Sequence, residues 1–297
     1  MPIKLIVLAK QVPDTKNITA KAMKDDGTVN RAALPAIFNP EDLNALELAL
    51  DLKDRYGGLV TVITMGPPRA ADILREALYR GADRCILVTD RAFAGADTLA
   101  TSYTLALAIQ KVSDYDMVLC GRQAIDGDTA QIGPQVAEKI AVNQVTYVHR
   151  IDEIQGKRIT LTRNLGRIKE KIETGLPLLV TVPASANQPR SYGAKLMIRF
   201  KRARIRLEVE KEYDAKDQGQ IATEECTRLN KRGLLIETWS AADLKADIPS
   251  IGLRGSPTKV KKVQNVVFST SAARQIAPTE LGIKELMSEL IEERTFG

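Results

Sequence analysis

Histidine is almost missing from this 297-residue chain, and cysteine is scarce. The single histidine, His149, and three widely separated cysteines, Cys85, Cys120 and Cys226, have no metal-ligand spacing. A zinc site, an iron–sulfur cluster of the chain's own and a Ser-His-Asp triad are therefore not expected. His149 stands beside Arg150 in a strand-like segment and reads as a structural or surface residue. Cys85 and Cys120 lie in apolar runs and read as small buried hydrophobes. Aromatic residues make up only 4% of the chain, which leaves no stacking platform for a nucleic acid. No apolar run reaches the roughly 18 residues that a membrane-spanning helix needs. The first residues enter a strand without a basic leader or cleavage site, so a cytoplasmic protein is expected. Two phosphate motifs are also absent. No Gly-x-Gly-x-x-Gly follows the first strand, and no Gly-x-x-x-x-Gly-Lys-Ser/Thr occurs anywhere. An ordinary dinucleotide-binding dehydrogenase and a P-loop NTPase are thereby disfavoured.

What the chain does have is 44% hydrophobic residues in an alternating rhythm of strands and helices. Ile3–Ala9, Leu59–Met65, Arg84–Thr89 and Met117–Cys120 are apolar runs expected as buried strands. Between them, Pro40–Tyr56, Arg69–Arg80 and Thr98–Val112 have helical spacing, with Gly57-Gly58 and Gly81 as stops and Asp97 as a cap. This order predicts a doubly wound parallel sheet. Val145–Ile151, Arg158–Arg163 and Lys169–Glu173 then alternate polar with apolar residues, and Gly156-Lys157 suits a hairpin turn. Leu178–Val182 returns to the buried sheet. Beyond Pro183 the pattern is irregular: a polar linker at Asp214–Gly219, a short helix at Glu224–Leu229, another at Thr238–Leu244 capped by Ser240, and loop over Ile251–Lys262. A terminal amphipathic helix is expected at Thr279–Arg294, with Thr279 as its cap and Leu281, Leu286, Leu290 and Ile291 on one side. This tail is too small for a core of its own, so the stripe is expected to pack on the main domain or on another chain.

The polar segments fall where strands end. Met117–Cys120 leads into Gly121–Gln131, and a helix opens at Gly133-Pro134. The carboxyl end of a strand feeding a helix N-terminus is where nucleotides bind in open α/β sheets. Gly121 and Gly127 allow backbone amides to approach phosphate closely. Thr129 and Gln131 offer hydrogen bonds, and Asp126 and Asp128 could take a ribose hydroxyl or an amide. Ala9–Asp14, Met65-Gly66 and Asn39-Pro40-Glu41-Asp42 stand at the same sheet edge, with Asn39 as a candidate cap and Pro40 at the first helical position. Net charge is +6. From Arg190 to Arg206 there are seven basic residues (Arg190, Lys195, Arg199, Lys201, Arg202, Arg204 and Arg206) and no acidic one. That run is either a solvated face or a docking surface for an anionic partner.

Taken together, these segments resemble the β subunit of electron-transfer flavoproteins over nearly the whole chain. Ala9-Lys10-Gln11-Val12-Pro13-Asp14 resembles the family's first loop, Asn39–Asp42 its helix-opening Asn-Pro segment, and Gly121–Gln131 its long nucleotide loop. Leu176-Pro177, Asn187-Gln188-Pro189-Arg190 and Gly255-Ser256-Pro257-Thr258 match three further segments in order. Asp26–Arg31 looks like an insertion of the electron-bifurcating branch, and Gly127-Asp128-Thr129 also favours that branch.

The resemblance implies an α/β, doubly wound, mostly parallel and Rossmann-like sheet that binds an adenine nucleotide, with a C-terminal extended arm and helix. It divides the chain into a nucleotide-binding domain, 1–213, and an arm, 214–297, packing on the partner subunit. Its cofactor is FAD in the bifurcating branch, with NADH as substrate, or structural AMP in ordinary members. The cofactor-binding set carried over by motif is Ala9, Asn39, Pro40, Glu41, Asp42, Gly66, Cys120, Gly121, Arg122, Gln123, Ala124, Asp126, Gly127, Asp128, Thr129, Ala130 and Gln131. No catalytic side chain and no metal are implied, because the redox chemistry belongs to the cofactor. The implied partners are an electron-transfer flavoprotein α subunit carrying another FAD, an acyl-CoA or other flavin dehydrogenase, and ferredoxin or flavodoxin. Nucleic acid and a membrane span are not among them. Two departures stand out. Gly166–Lys171 replaces a Gly-rich acidic turn, and Ser191–Lys195 replaces the family's Tyr and Leu of the dehydrogenase recognition loop, with Tyr192 displaced by one residue. An ATP-using enzyme or sensor of similar architecture would instead need Asp126 and Asp128 as metal-binding acids.

Overall fold

Six of the seven residues of the first strand, β1 (Ile3–Ala9), are buried, as a strand covered on both faces requires. The computed structural model describes residues 2–14, 34–214, 219–258 and 275–292. The expected insertion at Asp26–Arg31 lies outside the described residues, as do Lys259–Lys262 and the last residues of the expected terminal helix. After β1 come β2 (Gln11–Pro13), β3 (Ala36–Phe38), α1 (Pro40–Tyr56), β4 (Gly58–Met65), α2 (Ala71–Arg80), β5 (Arg84–Val88), α3 (Thr98–Val112), β6 (Met117–Gly121) and α4 (Ile132–Lys139). Then follow β7 (Asn143–Val145), β8 (Val148–Gln155), β9 (Arg158–Asn164), β10 (Lys169–Gly175), β11 (Leu178–Val182), α5 (Ala194–Phe200), β12 (Arg204–Ile205), α6 (Arg206–Asp214), α7 (Gly219–Lys231), β13 (Leu235–Trp239) and α8 (Glu280–Glu292).

Eight strands form the main sheet in the order β12-β13-β5-β4-β1-β6-β11-β7. Every adjacent pair in it is parallel. The chain leaves β1 towards β4 and β5, then crosses back to β6 on the other side. The strand order therefore reverses between β1 and β6, and the crevice at their carboxyl ends is the expected place for a ligand in such a sheet. Apolar side chains fill both faces. Val7, Val62, Leu119 and Val180 pack under α1 and α2, while Ile6, Ile63, Val118 and Leu179 pack under α3 and α4. Gly58 shows why the stop after α1 is a glycine pair: its φ is +121°, and a Cβ there would fall 1.8 Å from the Ile3 carbonyl oxygen. β8, β9 and β10 make a separate antiparallel sheet, with Gly156 at φ +59° in the hairpin turn.

The second half of the chain departs from its reading. Thr238 and Trp239 are not helical. They close β13, which pairs in parallel with β5 through Glu237–Ile86, Thr238–Leu87 and Trp239–Val88. Ser240 then caps only a turn, exchanging hydrogen bonds with Asp243. The short helix expected at Glu224–Leu229 begins earlier, at Gly219, and α6 occupies the residues up to Asp214. Ala222, Cys226, Leu229 and Ile236 from this region join the core beneath α1 and α2. α8 has its expected cap: the Gly282 amide donates to Thr279 Oγ1 at 3.2 Å. Of its expected stripe, Leu281 and Ile291 are exposed and Leu286 and Leu290 half-buried, and Ile283 and Met287 are exposed as well, so much of its apolar surface is uncovered by the described residues. No helix among the described residues is long and apolar enough to cross a membrane.

Candidate functional site

α1 begins at the crevice, and three of its first residues reach across to the loop after β6. Asn39 occupies the cap position, but its side chain makes no cap hydrogen bond. Its amide donates to the Gln123 carbonyl at 2.9 Å, and its Oδ1 accepts from the Ile125 amide at 3.1 Å. Pro40 takes the first helical position and needs no N–H partner there. The Glu41 carboxylate, 6% exposed, accepts from Arg122 Nη2 at 2.9 Å and from the Gln123 amide at 2.8 Å. The Asp42 carboxylate accepts from the Gly121 amide and from the Lys10 amide, both at 2.9 Å. It thus ties the end of β6 to the residue that follows β1. A Cβ on Gly121 would sit 2.5 Å from Asp42 Oδ1 and 2.7 Å from the Asp42 nitrogen, so only glycine fits.

Burial pushes the Asp42 carboxyl up to about 7, against the opposing effects of the Gly121 amide, the Asn39 side chain and the Lys10 amide and charge. The Arg122 guanidinium is held above its ordinary range by the Glu41 carboxylate and then by Tyr147. Burial raises the Cys120 thiol strongly. Cys120 packs in the core, where its Sγ would lie 2.9 Å from a Cβ added at Gly133.

Beyond Gln123 the loop turns on itself. The Asp128 amide donates to the Ala124 carbonyl at 2.9 Å, and Gln123 Nε2 donates to Asp128 Oδ1 at 2.9 Å. Asp126 accepts both bonds of a forked contact from Lys10 Nζ, at 2.7 and 2.8 Å. Asp128 and Ala130 have φ of +50° and +52°. Gln131, next in line, is right-handed at φ −100° and ψ −23°. A left-handed residue followed by a right-handed one turns successive N–H groups to one side, a concavity that takes anions. Here it opens onto the N-terminus of α4, which no side chain caps. Gln131 is held instead by the Thr98 hydroxyl, which donates to its Oε1 at 2.9 Å. The backbone therefore offers a concavity of the kind that takes an anion.

The structure brings Asn39, Pro40, Glu41 and Asp42 against Gly121, Arg122, Gln123 and Ala124, and Asp126 against Lys10. Ala9 closes β1 opposite Thr64, two residues before Gly66, on the same edge. Gly127, Asp128, Thr129 and Gln131 are exposed along the loop. Sequence reasoning gave Lys10, Thr98 and Tyr147 no role here and read Asp97 only as a helix cap. Asp97 caps α3 through the Leu99 and Ala100 amides, and also accepts from the Thr258 amide at 3.0 Å. Burial would raise its carboxyl, but the amides of Ala100, Thr258 and Leu99 and the Ser256 hydroxyl outweigh that and lower it. The Gly-Ser-Pro-Thr match and the Asp97 cap are thus two halves of one contact. Tyr147, at φ +60°, lies with its ring 5.7 Å from the Arg122 guanidinium. Its half-buried position between β7 and β8 gave no sequence signal.

The basic run divides in two. Arg190 pairs with Glu47 and Asp54, Arg204 with Glu212, and Arg206 with Glu210. Lys195, Arg199, Lys201 and Arg202 form no ion pair among the described residues. Arg199, Lys201 and Arg202, with exposed Ile198 and with Arg232 and Leu234, line a cleft of about 340 Å³, and Lys195 and exposed Met197 stand on α5 beside it. Leu234 precedes β13, so this cleft opens at the amino ends of the strands, opposite the crevice. Tyr192 is spent on α2: its hydroxyl donates to Glu76 at 2.8 Å, and Arg80 lies 4.5 Å over its ring.

The profile of the electron transfer flavoprotein domain family matches residues 26–224. The chain is 44% identical to an electron transfer flavoprotein subunit beta of Clostridium acetobutylicum, over 87% of this chain and 86% of the relative. It is 40% identical to protein FixA of Rhizobium meliloti, over 97% of this chain and 89% of the relative. It is 50% identical to subunit CarD of the caffeyl-CoA reductase-Etf complex of Acetobacterium woodii, over 63% of this chain and 71% of the relative.

Proposed function

The chain belongs to the electron transfer flavoprotein β-subunit family, and from that membership we propose that it binds FAD in the β1–β6 crevice as the NADH-oxidising half of an electron-bifurcating heterodimer. The observation that carries the nucleotide part is the loop after β6: an anion-binding turn at Ala130-Gln131, opening onto an uncapped helix and fastened from below by α1. The branch assignment is supported by the Asp26–Arg31 and Gly127–Thr129 wording, and by half-identity to a subunit named from a reductase–Etf complex.

A flavin bound here would supply two-electron acceptance from NADH and one-electron release. The chain's own part is to bind and orient. Gly121 to Gln131 hold the pyrophosphate and ribose portion, Ala9 and Gly66 line the adenosine side, and Asn39, Glu41 and Asp42 hold the loop in shape. Such a flavin would pass one electron to ferredoxin or flavodoxin and the other to the α-subunit flavin and a flavin dehydrogenase such as one acting on acyl-CoA. The unpaired cations around α5 and the exposed Met197 and Ile198 form the dehydrogenase-facing surface. The residues of α8 that are exposed among the described residues, Leu281, Ile283, Met287 and Ile291, pack on the α subunit.

Cofactor counting on the purified heterodimer tests this reading. Two FAD per heterodimer, with rapid reduction by NADH, is the expected result. One FAD together with one AMP identifies a non-bifurcating carrier with a structural nucleotide and overturns the bifurcating assignment.

A further inference from the structure

Asp42 stands where the strand order of the sheet reverses, and its carboxylate touches both strand ends there. One of its oxygens receives the amide of Gly121, the last residue of β6. The other receives the amide of Lys10, the first residue past β1. We propose that Asp42 is a positioning residue: its ionised carboxylate holds the mouth of the crevice in nucleotide-binding geometry, and uptake of a proton there weakens the bound adenine nucleotide. The inference rests on the reading of this crevice as the nucleotide site, and it concerns a group that lies beneath the ligand.

The argument is one of donors and acceptors. An ionised carboxylate accepts at both oxygens, whereas a protonated one carries a donor on one of them. Both Asp42 oxygens already accept from N–H groups, so a proton on either occupies a lone pair, removes the negative charge and weakens the bond on that side. The residue is 7% exposed, which leaves no water-facing side to absorb the change. Gly121 cannot shift towards it, because backbone and side chain of Asp42 already crowd that position. The strand ends must part instead, and the loop from Arg122 to Gln131 moves with Gly121.

The surroundings set the proton affinity in the useful range. From β6 come Gly121 and the buried Cys120 thiol. From the turn after β1 comes Lys10, whose ammonium is 2.7 Å from Asp126 and so is partly neutralised. From α1 come Asn39, which favours the ionised form, and Glu41, which is matched by Arg122. Burial outweighs these and brings the group to about 7.

The test is AMP titration of the full chain with its α partner after removal of bound nucleotide, from pH 5.5 to 8.5. AMP affinity is expected to fall about five- to tenfold on acidification from pH 8 to pH 6, the worth of a buried hydrogen bond. Calorimetry in two buffers of different ionisation enthalpy is expected to show release of about half a proton per AMP near pH 7. D42N keeps the side-chain volume but presents an amide donor, so it is expected to bind AMP more weakly at pH 8 and to keep only the pH dependence that ionisation of the AMP phosphate itself, at about pH 6, imposes; a wild-type dependence no steeper than that overturns the proposal. The wild-type measurements stand even where D42N does not fold. An AMP affinity that is flat across this range, or that rises in acid, overturns the proposal, as does binding without proton release. Absence of AMP and FAD binding at every pH would instead count against the nucleotide site itself.

Discussion

Gly121 and Asp42 meet at a separation that leaves no room for a methyl group. Gly121→Ala is therefore expected to cost about 2–4 kcal/mol, because a Cβ would press on backbone as well as on a carboxylate. Thermal unfolding and bound-nucleotide content should fall together. Ala130 offers the opposite test. It holds φ +52°, which costs a non-glycine residue about 1–2 kcal/mol, while glycine loses about 0.5–1 kcal/mol in chain entropy. Ala130→Gly is expected to stabilise the chain by about 0.5 kcal/mol in urea titration and to keep its nucleotide. Asp42 also has a stability signature. Burial raises its folded-state pKa to about 7, above the ordinary value of 3.8. Its contribution is thus fully present below pH 4 and declines as pH rises towards 7, where the unfolded chain has already released the proton. Asp42→Asn is expected to remove that decline, seen as a smaller loss of stability between pH 4 and pH 7. The residues of this site were legible as types and positions. Their division of labour was not. Asn39, Glu41 and Asp42 read as ligand-facing groups, yet their side chains are spent on a loop some eighty residues away.

At the scale of elements, the apolar strands of the first half declared themselves because burial on both faces leaves unbroken hydrophobic runs. β13 did not, since Leu235–Trp239 includes Glu237, which pairs with Arg84 of the neighbouring strand. That partner turns an apparently polar residue into a sheet residue, and no local pattern announces it. α8 was legible as an amphipathic helix, and what the structure adds is that the described residues leave Leu281, Ile283, Met287 and Ile291 exposed. Deletion from residue 275 onward is expected to leave the melting temperature of the main sheet nearly unchanged while weakening the heterodimer. Analytical ultracentrifugation of the two subunits would show it, and a dimer of undiminished affinity would refute that role. Arg190 ties the segment after β11 to α1 through Glu47 and Asp54. Arg190→Ala is expected to cost about 1–2 kcal/mol, reduced from a fully buried value by the exposure of Asp54.

Across the whole molecule, the positive run reads as one feature in sequence and separates in space into two. Three arginines brace the fold, and four cations stand unpaired around α5 at the end of the strands opposite the crevice. Position in the sheet, which one sequence conceals, makes that separation. α1 spans the distance between the two regions. Its tip grips the loop after β6 through Asn39, Glu41 and Asp42. Farther along, Asn44, Glu47 and Asp54 grip residues 187–190, which lead into α5. One straight girder thus carries a fixture at each end, and their spacing is a constant of the fold. A partner seated at α5 always finds the crevice at the same remove, so changes of distance during turnover are left to whatever moves outside this sheet.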